Sequence, residues 1–385
     1  AVHQLERAVL GTGTAGILLR SQVSAFIPGL KLSELLYREA VAPILAGAFP
    51  GLPHAAGLLG PGSEVLGYDT PQSTDHNWGP RLLLFFDEED LGRHGSPVAA
   101  TLGRELPHEI RGYSTNFALP IEEGTVRLEV ATTWPVNHGV EVTSVARFLK
   151  KQLGIETFDA IDAEDWLTFS EQSLLEITTG EVFHDGLGEV EKLRTALHYY
   201  PDDIWFHQLA AQWMRVAEIE AFVGRCGDVG DELGSALIAS SIVRDLMSLC
   251  FLLERRYAPY PKWFGSAFSQ LSCGARMSPI LESVLSAREW RERESNLTSA
   301  CAAVATLHNR SAITDPLPTE ARRFHERPYC VIDAARFAKA IKTRIRDERV
   351  KSLAAGIGSC DQFVDSTAVL TRPDVRRRLR AIYQR

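Results

Sequence analysis

GPGSEVLGYDTPQSTDHNWGPRLLLFF, residues 60–86, decides how this chain is read. It opens on a turn, Gly60-Pro61-Gly62-Ser63, and reaches an acidic-polar pair, Asp75 and Asn77, twelve residues past Ser63. The apolar run Leu82–Phe86 follows. A glycine-serine turn offers free backbone N–H groups and a hydroxyl to a polyphosphate. Asp75 and Asn77 share one face if the chain is extended there, and Mg²⁺ takes oxygen ligands placed that way. The segment therefore fits a site for a nucleoside triphosphate and Mg²⁺. The plain alternative is an ordinary turn followed by an Asx-capped strand entry. The strand directly after Asn77 favours the functional reading.

Outward from that stretch, residues 31–49 have helical spacing, with Leu32, Leu35, Leu36 and Ala40 on one face, closed by Pro50-Gly51. His54–Leu59 reads as a buried strand entering the turn, and Arg81–Phe86 as a second strand. A helix over 97–106, strands at Val126–Val130 and Val140–Val142, and a helix at Ser144–Leu153 complete a small mixed α/β unit. From residue 160 onward the pattern is long amphipathic helices, as in a bundle. The segment SAITDPLPT, 311–319, carries two prolines and breaks that run. The expectation is an α+β chain in four parts: an N-terminal extension 1–25, a mixed domain 26–155, a helical bundle 156–310 and a helical extension 311–385.

A chain of 385 residues is too long for one ordinary core. Its net charge of −8 argues against nucleic acid as the main partner and suits a cationic small substrate. The six cysteines stand far apart with no CxxC, so free thiols in a reducing cytoplasm are expected rather than zinc or disulfides. No stretch approaches ~20 uninterrupted apolar residues, so no membrane span is expected. The first twenty residues lack a basic leader and are not read as a signal peptide. The chain does not open on Met, which suggests processing or trimming. Gly11, Gly13 and Gly16 match GxGxxG, but no strand precedes them, and the match reads as chance.

Glu218, Glu220 and Asp245 lie in otherwise apolar helices. A carboxylate there would have a raised pKa and could act as a general base, with Glu220 the first choice. The same acids could instead bridge Arg215, Arg225 or Arg244. Trp78 reads as core, His76 as pointing away from Asp75, and Arg81 as either a phosphate contact or a surface residue.

The segment at 60–86 resembles the active-site pattern of the nucleotidyltransferase superfamily: Gly-Ser, about a dozen residues, then Asp-x-Asp/Glu. More closely, the chain resembles the DUF4037 family through 26–45, 60–86, 106–117, 177–190, 200–235, 255–265 and 308–329. The resemblance implies a nucleotidyltransferase-type α/β domain with a helical bundle, as in the kanamycin and lincosamide enzymes, with substrate in the cleft between them. It implies that Gly62 and Ser63 hold phosphates and that Asp75 ligates Mg²⁺. Asn77 stands where the family usually has Asp, which weakens the metal site. The third acid would be Glu141, with Glu129 the alternative. Lys262 would reach the triphosphate, though it also suits a helix end closed by Pro261. Arg111, Tyr113 and Asn116 would line the cleft. The expected activity is Mg²⁺-dependent transfer of a nucleoside monophosphate from a triphosphate to a hydroxyl or amine of a small molecule. The alternatives are a degenerate fold kept as a nucleotide- or partner-binding module, and an acid/base reaction of another kind in a biosynthetic pathway.

Overall fold

A computed structural model describes residues 26–120 and 125–384. The GxGxxG match at 11–16 and the expected extension 1–25 lie outside the described residues.

The chain opens on a nearly continuous helix: α1 (Gly29–Leu36), a π-turn (Tyr37–Val41) and α2 (Ala42–Ala48). Strand β1 (Ala55–Leu58) leads to the Gly-Ser turn, and β2 (Arg81–Phe85) follows a short 3₁₀ turn at Pro71–Asp75. Helix α3 (Glu88–Glu105) starts where the Asp87 carboxylate accepts the Asp90 N–H at 2.7 Å, and tolerates Pro97 within it. A two-residue hairpin, β3 (Glu109–Ile110) and β4 (Tyr113–Ser114), precedes β5 (Gly139–Thr143) and α4 (Val145–Leu153). Ser144 caps α4, and Gly154 closes it with φ +76°.

Then come α5 (Ala163–Thr168), α6 (Glu171–Thr178), β6 (Glu181–Asp185) and α7 (Val190–Ala196). The helical region continues through α8 (Asp202–Ile219), α9 (Phe222–Asp228), α10 (Glu232–Leu253), α11 (Pro261–Ser269), α12 (Gly274–Ser286) and α13 (Trp290–Arg310). A small hairpin, β7 (Arg322–Arg323) and β8 (Cys330–Val331), is followed by α14 (Ala335–Lys342), α15 (Glu348–Lys351), α16 (Thr367–Leu370) and α17 (Pro373–Arg376).

The main sheet has the order β5-β2-β1-β6. β1 runs antiparallel to β2 and β6, and β5 is parallel to β2. Alternation along β2 divides its side chains between two cores. Leu82, Leu84 and Phe86 join α1–α3, whereas Leu83 and Phe85 face the helices of the second half.

The fold is α+β, as expected, with two departures. β6 falls between two expected helices, where no strand was expected, yet it forms an edge of the sheet. Gly180 permits this: its φ is +72°, and a Cβ there would run into the Leu58 carbonyl. Among the described residues, the expected strand 126–130 provides one isolated bridge, Phe117 to Leu128. Two core clusters are present, one whose buried members all lie within 32–140 and one that runs from Ala55 to Tyr383. Leu83, Leu209, Leu246, Phe337 and Tyr383 all belong to one cluster, and the last residues fold back so that the Tyr383 hydroxyl donates to Leu167 O at 2.9 Å.

Helix α10 is interrupted by Arg244 and Asp245, so it is no uninterrupted apolar stretch. By length and composition it could cross a membrane, with a mean hydropathy of 1.8 over its best window. Half of that window is buried, and Ile242, Leu246 and Leu249 sit in the common core.

Candidate functional site

Antiparallel pairing sets Gly57 beside Leu83, so the outgoing end of β1 lies beside Arg81 at the incoming end of β2. The Gly62–Ser63 turn and the Asp75–Asn77 segment therefore leave the same end of the sheet. Gly62 is required by close approach: a Cβ there would lie 2.7 Å from Arg81 Nη2 and from Glu64 Oε2. Glu64 is buried and ion-paired with Arg81, which also donates to Pro61 O at 3.2 Å. That pair braces the turn from beneath.

The Tyr68 N–H donates to Ser63 O at 2.8 Å and the Gly67 N–H to Glu64 O at 3.2 Å, closing the loop. Among the described residues, the N–H groups of Gly62, Ser63, Glu64, Val65 and Leu66 find no acceptor. Successive free N–H groups form a concavity suited to an anion.

The helical region holds this loop from the other side. Gly60 N–H donates to Glu176 O on α6 at 2.8 Å, and Gly180 N–H to Val65 O at 3.1 Å. Tyr68 stacks on Trp263 of α11, with ring centroids 4.9 Å apart and planes 16° from parallel. Lys262 Nζ lies 4.9 Å from the Trp263 ring centre, beside that stack on α11. Burial raises the Tyr68 phenol, while the charge of Arg256 lowers it. Arg256 is therefore a second cation on this side. Sequence reading did not single it out, although it lies in the run RRYAPYPKWFG at 255–265.

The expected metal ligands are arranged differently from the expectation. Asp75 ends the 3₁₀ turn rather than lying on a strand. It is exposed, and its Oδ1 meets His76 Nδ1 at 2.8 Å, so His76 turns toward Asp75 and not away. Asn77 has φ +49°, which Asn tolerates better than most residues. Its Oδ1 accepts the Val126 N–H at 2.9 Å, and its own N–H donates to Val126 O at 2.8 Å. It thus ties the loop at 126 in place, and the positive φ removes the same-face relation to Asp75. Glu141 on β5 pairs with Leu83 and lies on the same sheet face as Arg81, but Lys151 Nζ holds both its oxygens at 2.8 and 2.9 Å.

Among the described residues, no group of three or more His, Cys, Asp or Glu is set to hold a metal ion. Asp75, Asn77 and Glu141 as they stand do not form a ready-made metal cage. Asp75 is the one with an uncommitted carboxylate oxygen.

The other candidates sort by what they touch. Glu220 follows α8, and its oxygens accept the N–H groups of Ile332 and Ala334 at 2.9 and 3.1 Å. Burial pushes its pKa up to about 7 against the pull of those donors. This corrects its expected place as a base in the cleft: it anchors the chain after β8. Asp245 accepts from Gln212 Nε2 at 3.0 Å, and burial pushes it up to about 6. Arg215 lies 3.7 Å from Glu218 and 3.9 Å from Asp245, the bridging arrangement.

Trp78 is buried, as expected. Arg111 pairs with Glu39, the Tyr113 hydroxyl receives the Ile27 N–H at 3.3 Å, and Asn116 Oδ1 accepts the Asn137 N–H at 2.8 Å. These three bind neighbouring chain rather than the Gly-Ser turn. The carboxylate of Glu129 makes no hydrogen bond among the described residues, while its main-chain N–H donates to Asn116 O at 3.0 Å.

Residues 166–264, from α5 to the start of α11, match the model of DUF4037, a domain of unknown function. That match includes Trp263 but not Tyr68, on which Trp263 stacks. Among solved structures, the chain is similar to a nucleotidyltransferase-like protein from Exiguobacterium sibiricum. The identity is 10%, the coverage 76% of this chain and 83% of that one, and the TM-score 0.33. No curated protein matches the chain.

Proposed function

We propose that the chain binds a nucleoside triphosphate at the Gly62–Ser63 turn and transfers its nucleoside monophosphate to a hydroxyl or amine of a small molecule. The observation that carries this reading is the run of uncommitted N–H groups from Gly62 to Leu66. It stands at the sheet end from which the Asp75 segment also departs. Lys262 and Arg256 supply positive charge from the helical side.

In this reading the turn and Lys262 hold the β- and γ-phosphates. The acceptor oxygen or nitrogen attacks the α-phosphorus, and the bond from that phosphorus to the bridging oxygen breaks. The electron pair leaves with pyrophosphate, and the acceptor's proton passes to solvent. Mg²⁺ would arrive with the triphosphate, beside Asp75.

A second reading is favoured by Asn77, whose side-chain oxygen is already committed to Val126. In that reading the same turn binds a nucleotide without transfer, as a sensor or partner-binding module. Pyrophosphate release separates the two. It should be measured with ATP, GTP, CTP and UTP, Mg²⁺ and a panel of amino and hydroxyl acceptors, for the wild type and Asn77→Asp. Asp can accept the Val126 N–H as Asn does, so the fold should survive. Release that Asp75→Ala abolishes supports transfer. Nucleotide binding with no release in either protein supports the module, and no binding to either removes both.

A further inference from the structure

A cavity of about 480 Å³ opens where the ends of four helices meet, and no residue of the triphosphate reading lines it. The first turn of α8 supplies Trp205 and the end of α10 supplies Arg255. The turn after α13 supplies Ala312, and the turn after α14 supplies Arg344. Small-molecule sites usually measure about 300–1,000 Å³ and pair apolar walls with a few polar groups.

The frame of this cavity is fixed. Trp205 is buried, and its indole N–H donates to Leu252 O at 2.8 Å. Ile313, also in the lining, is buried in the common core. Arg255 and Ala312 both hold a left-handed backbone, with φ of +51° and +52°. Each closes a helix at the place where glycine is the usual residue. Side chains held in that conformation are costly and gather at ligand sites, and here two of them line one cavity.

Its charged groups are unequally committed. The Arg255 guanidinium lies 3.8 Å over the Trp205 ring, and its Nη2 donates to Asp202 Oδ1 at 2.7 Å. Its Nη1 and Nε find no acceptor among the described residues. Arg344 is exposed; its main-chain N–H donates to Ile341 O at 2.8 Å, while its guanidinium finds no acceptor among the described residues. Glu254 also lines the cavity, but its two oxygens accept the N–H groups of Ser272 and Cys273 at 2.7 and 2.8 Å. Two guanidiniums thus stand against one carboxylate that folding has already used.

We propose that this cavity binds a small aromatic carboxylate, its ring against Trp205, Phe206 and Ile313 and its carboxylate on Arg255 and Arg344. A guanidinium fork matches a carboxylate, and aromatic and aliphatic walls take a ring. The surplus of one positive charge in the lining suits a monoanion. A phosphate dianion is less suited, because Glu254 lines the cavity and Asp202 already shares Arg255. This site does not depend on the triphosphate reading.

The test is calorimetry on the full chain with 3-phenylpropionate, its neutral counterpart 3-phenylpropanol, acetate and inorganic phosphate. The aromatic carboxylate should bind, and the other three should bind about tenfold or more weakly. Arg344→Gln and Arg255→Gln should each weaken its binding by about tenfold, the scale of one lost charged hydrogen bond. Arg93→Gln, an exposed change on α3, should leave it unaltered. Absence of 3-phenylpropionate binding, or equal binding of the alcohol, acetate or phosphate, overturns the proposal. So does unchanged affinity in both cavity variants, or an equal loss in Arg93→Gln. If Arg255→Gln fails to fold, Arg344→Gln and the ligand contrasts decide it.

Discussion

The two ends of α6 use polar side chains in opposite ways. At its C-terminal end, the half-buried Gly62–Ser63 turn leaves its N–H groups without an acceptor among the described residues, Asp75 is exposed, and Lys262 lies beside Trp263. At its N-terminal end, Glu171, Asp361 and Arg376 are held among tyrosines and serines. The outer site is built from groups that folding leaves unspent. The inner seam is built from groups that folding has removed from water, where every donor and acceptor matters. Substitutions at the seam should therefore act on stability, and substitutions of the rim's exposed side chains on binding.

Arg376→Ala should break this contrast most visibly. It leaves Ser170, Ser173 and Gln152 O without their donor and opens a void in a position 1% exposed. A loss of about 3–5 kcal/mol is expected in chemical denaturation, the scale for removing one partner of a buried charged network. A loss under about 1 kcal/mol, the usual range for a surface site, would erase the distinction between seam and rim.

Gly62→Val comes next. Its side chain would be driven into the Arg81–Glu64 pair that braces the turn. Overpacking of this kind costs about 1–3 kcal/mol, so denaturation midpoints should fall while the helical circular dichroism stays.

The pH dependence of stability follows from the seam. Glu220 titrates near 7 and Glu171 near 8, both raised by burial above the ordinary carboxylate range. Raised carboxylates contribute stability that is complete at low pH and is lost as pH climbs through those values. His308 is pushed down to about 4 by burial, so its contribution is lost as pH falls from the usual imidazole range toward 4. The melting temperature should therefore fall from weakly acidic pH toward pH 8.5. Glu220→Gln should flatten that decline and cost about 1 kcal/mol, since the amide keeps one acceptor for two N–H donors. A decline unchanged in that variant would show that Glu220 carries no part of it.

The smallest effect on stability is expected at the rim. Asp75→Ala should change it by no more than about 0.5 kcal/mol, as for an exposed residue that caps nothing. Its effect should appear only in affinity for Mg²⁺-bound nucleotide. A large loss of stability would place Asp75 with the seam.

The sequence made the rim legible because its logic is local. Alternation across Leu82–Phe86, the turn at Gly62 and the Ser144 cap are each written within a few residues, and β1, β2, β5 and α4 follow from them. What was missed depends on distant partners. Asn77 looked like a metal position, but its partner Val126 lies 49 residues away. Glu220 looked like a base because nothing nearby shows that 332 and 334 donate to it. β6, EVFHD, is a polar edge strand between helices, and only its pairing with β1 identifies it. Glu171 and Asp361 are 190 residues apart, and neither belongs to a pattern that spacing could reveal.

The central claim is that the Gly62–Leu66 turn and Lys262 form one phosphate site across the contact between the sheet and α11. Calorimetric titration of ATP, GTP, CTP and UTP with Mg²⁺ into the wild type, Ser63→Ala and Lys262→Ala tests it most directly. At least one nucleotide should bind the wild type, and both variants should bind it about tenfold or more weakly with unchanged melting temperatures. No binding by any of the four, or binding that neither substitution disturbs, would contradict the account.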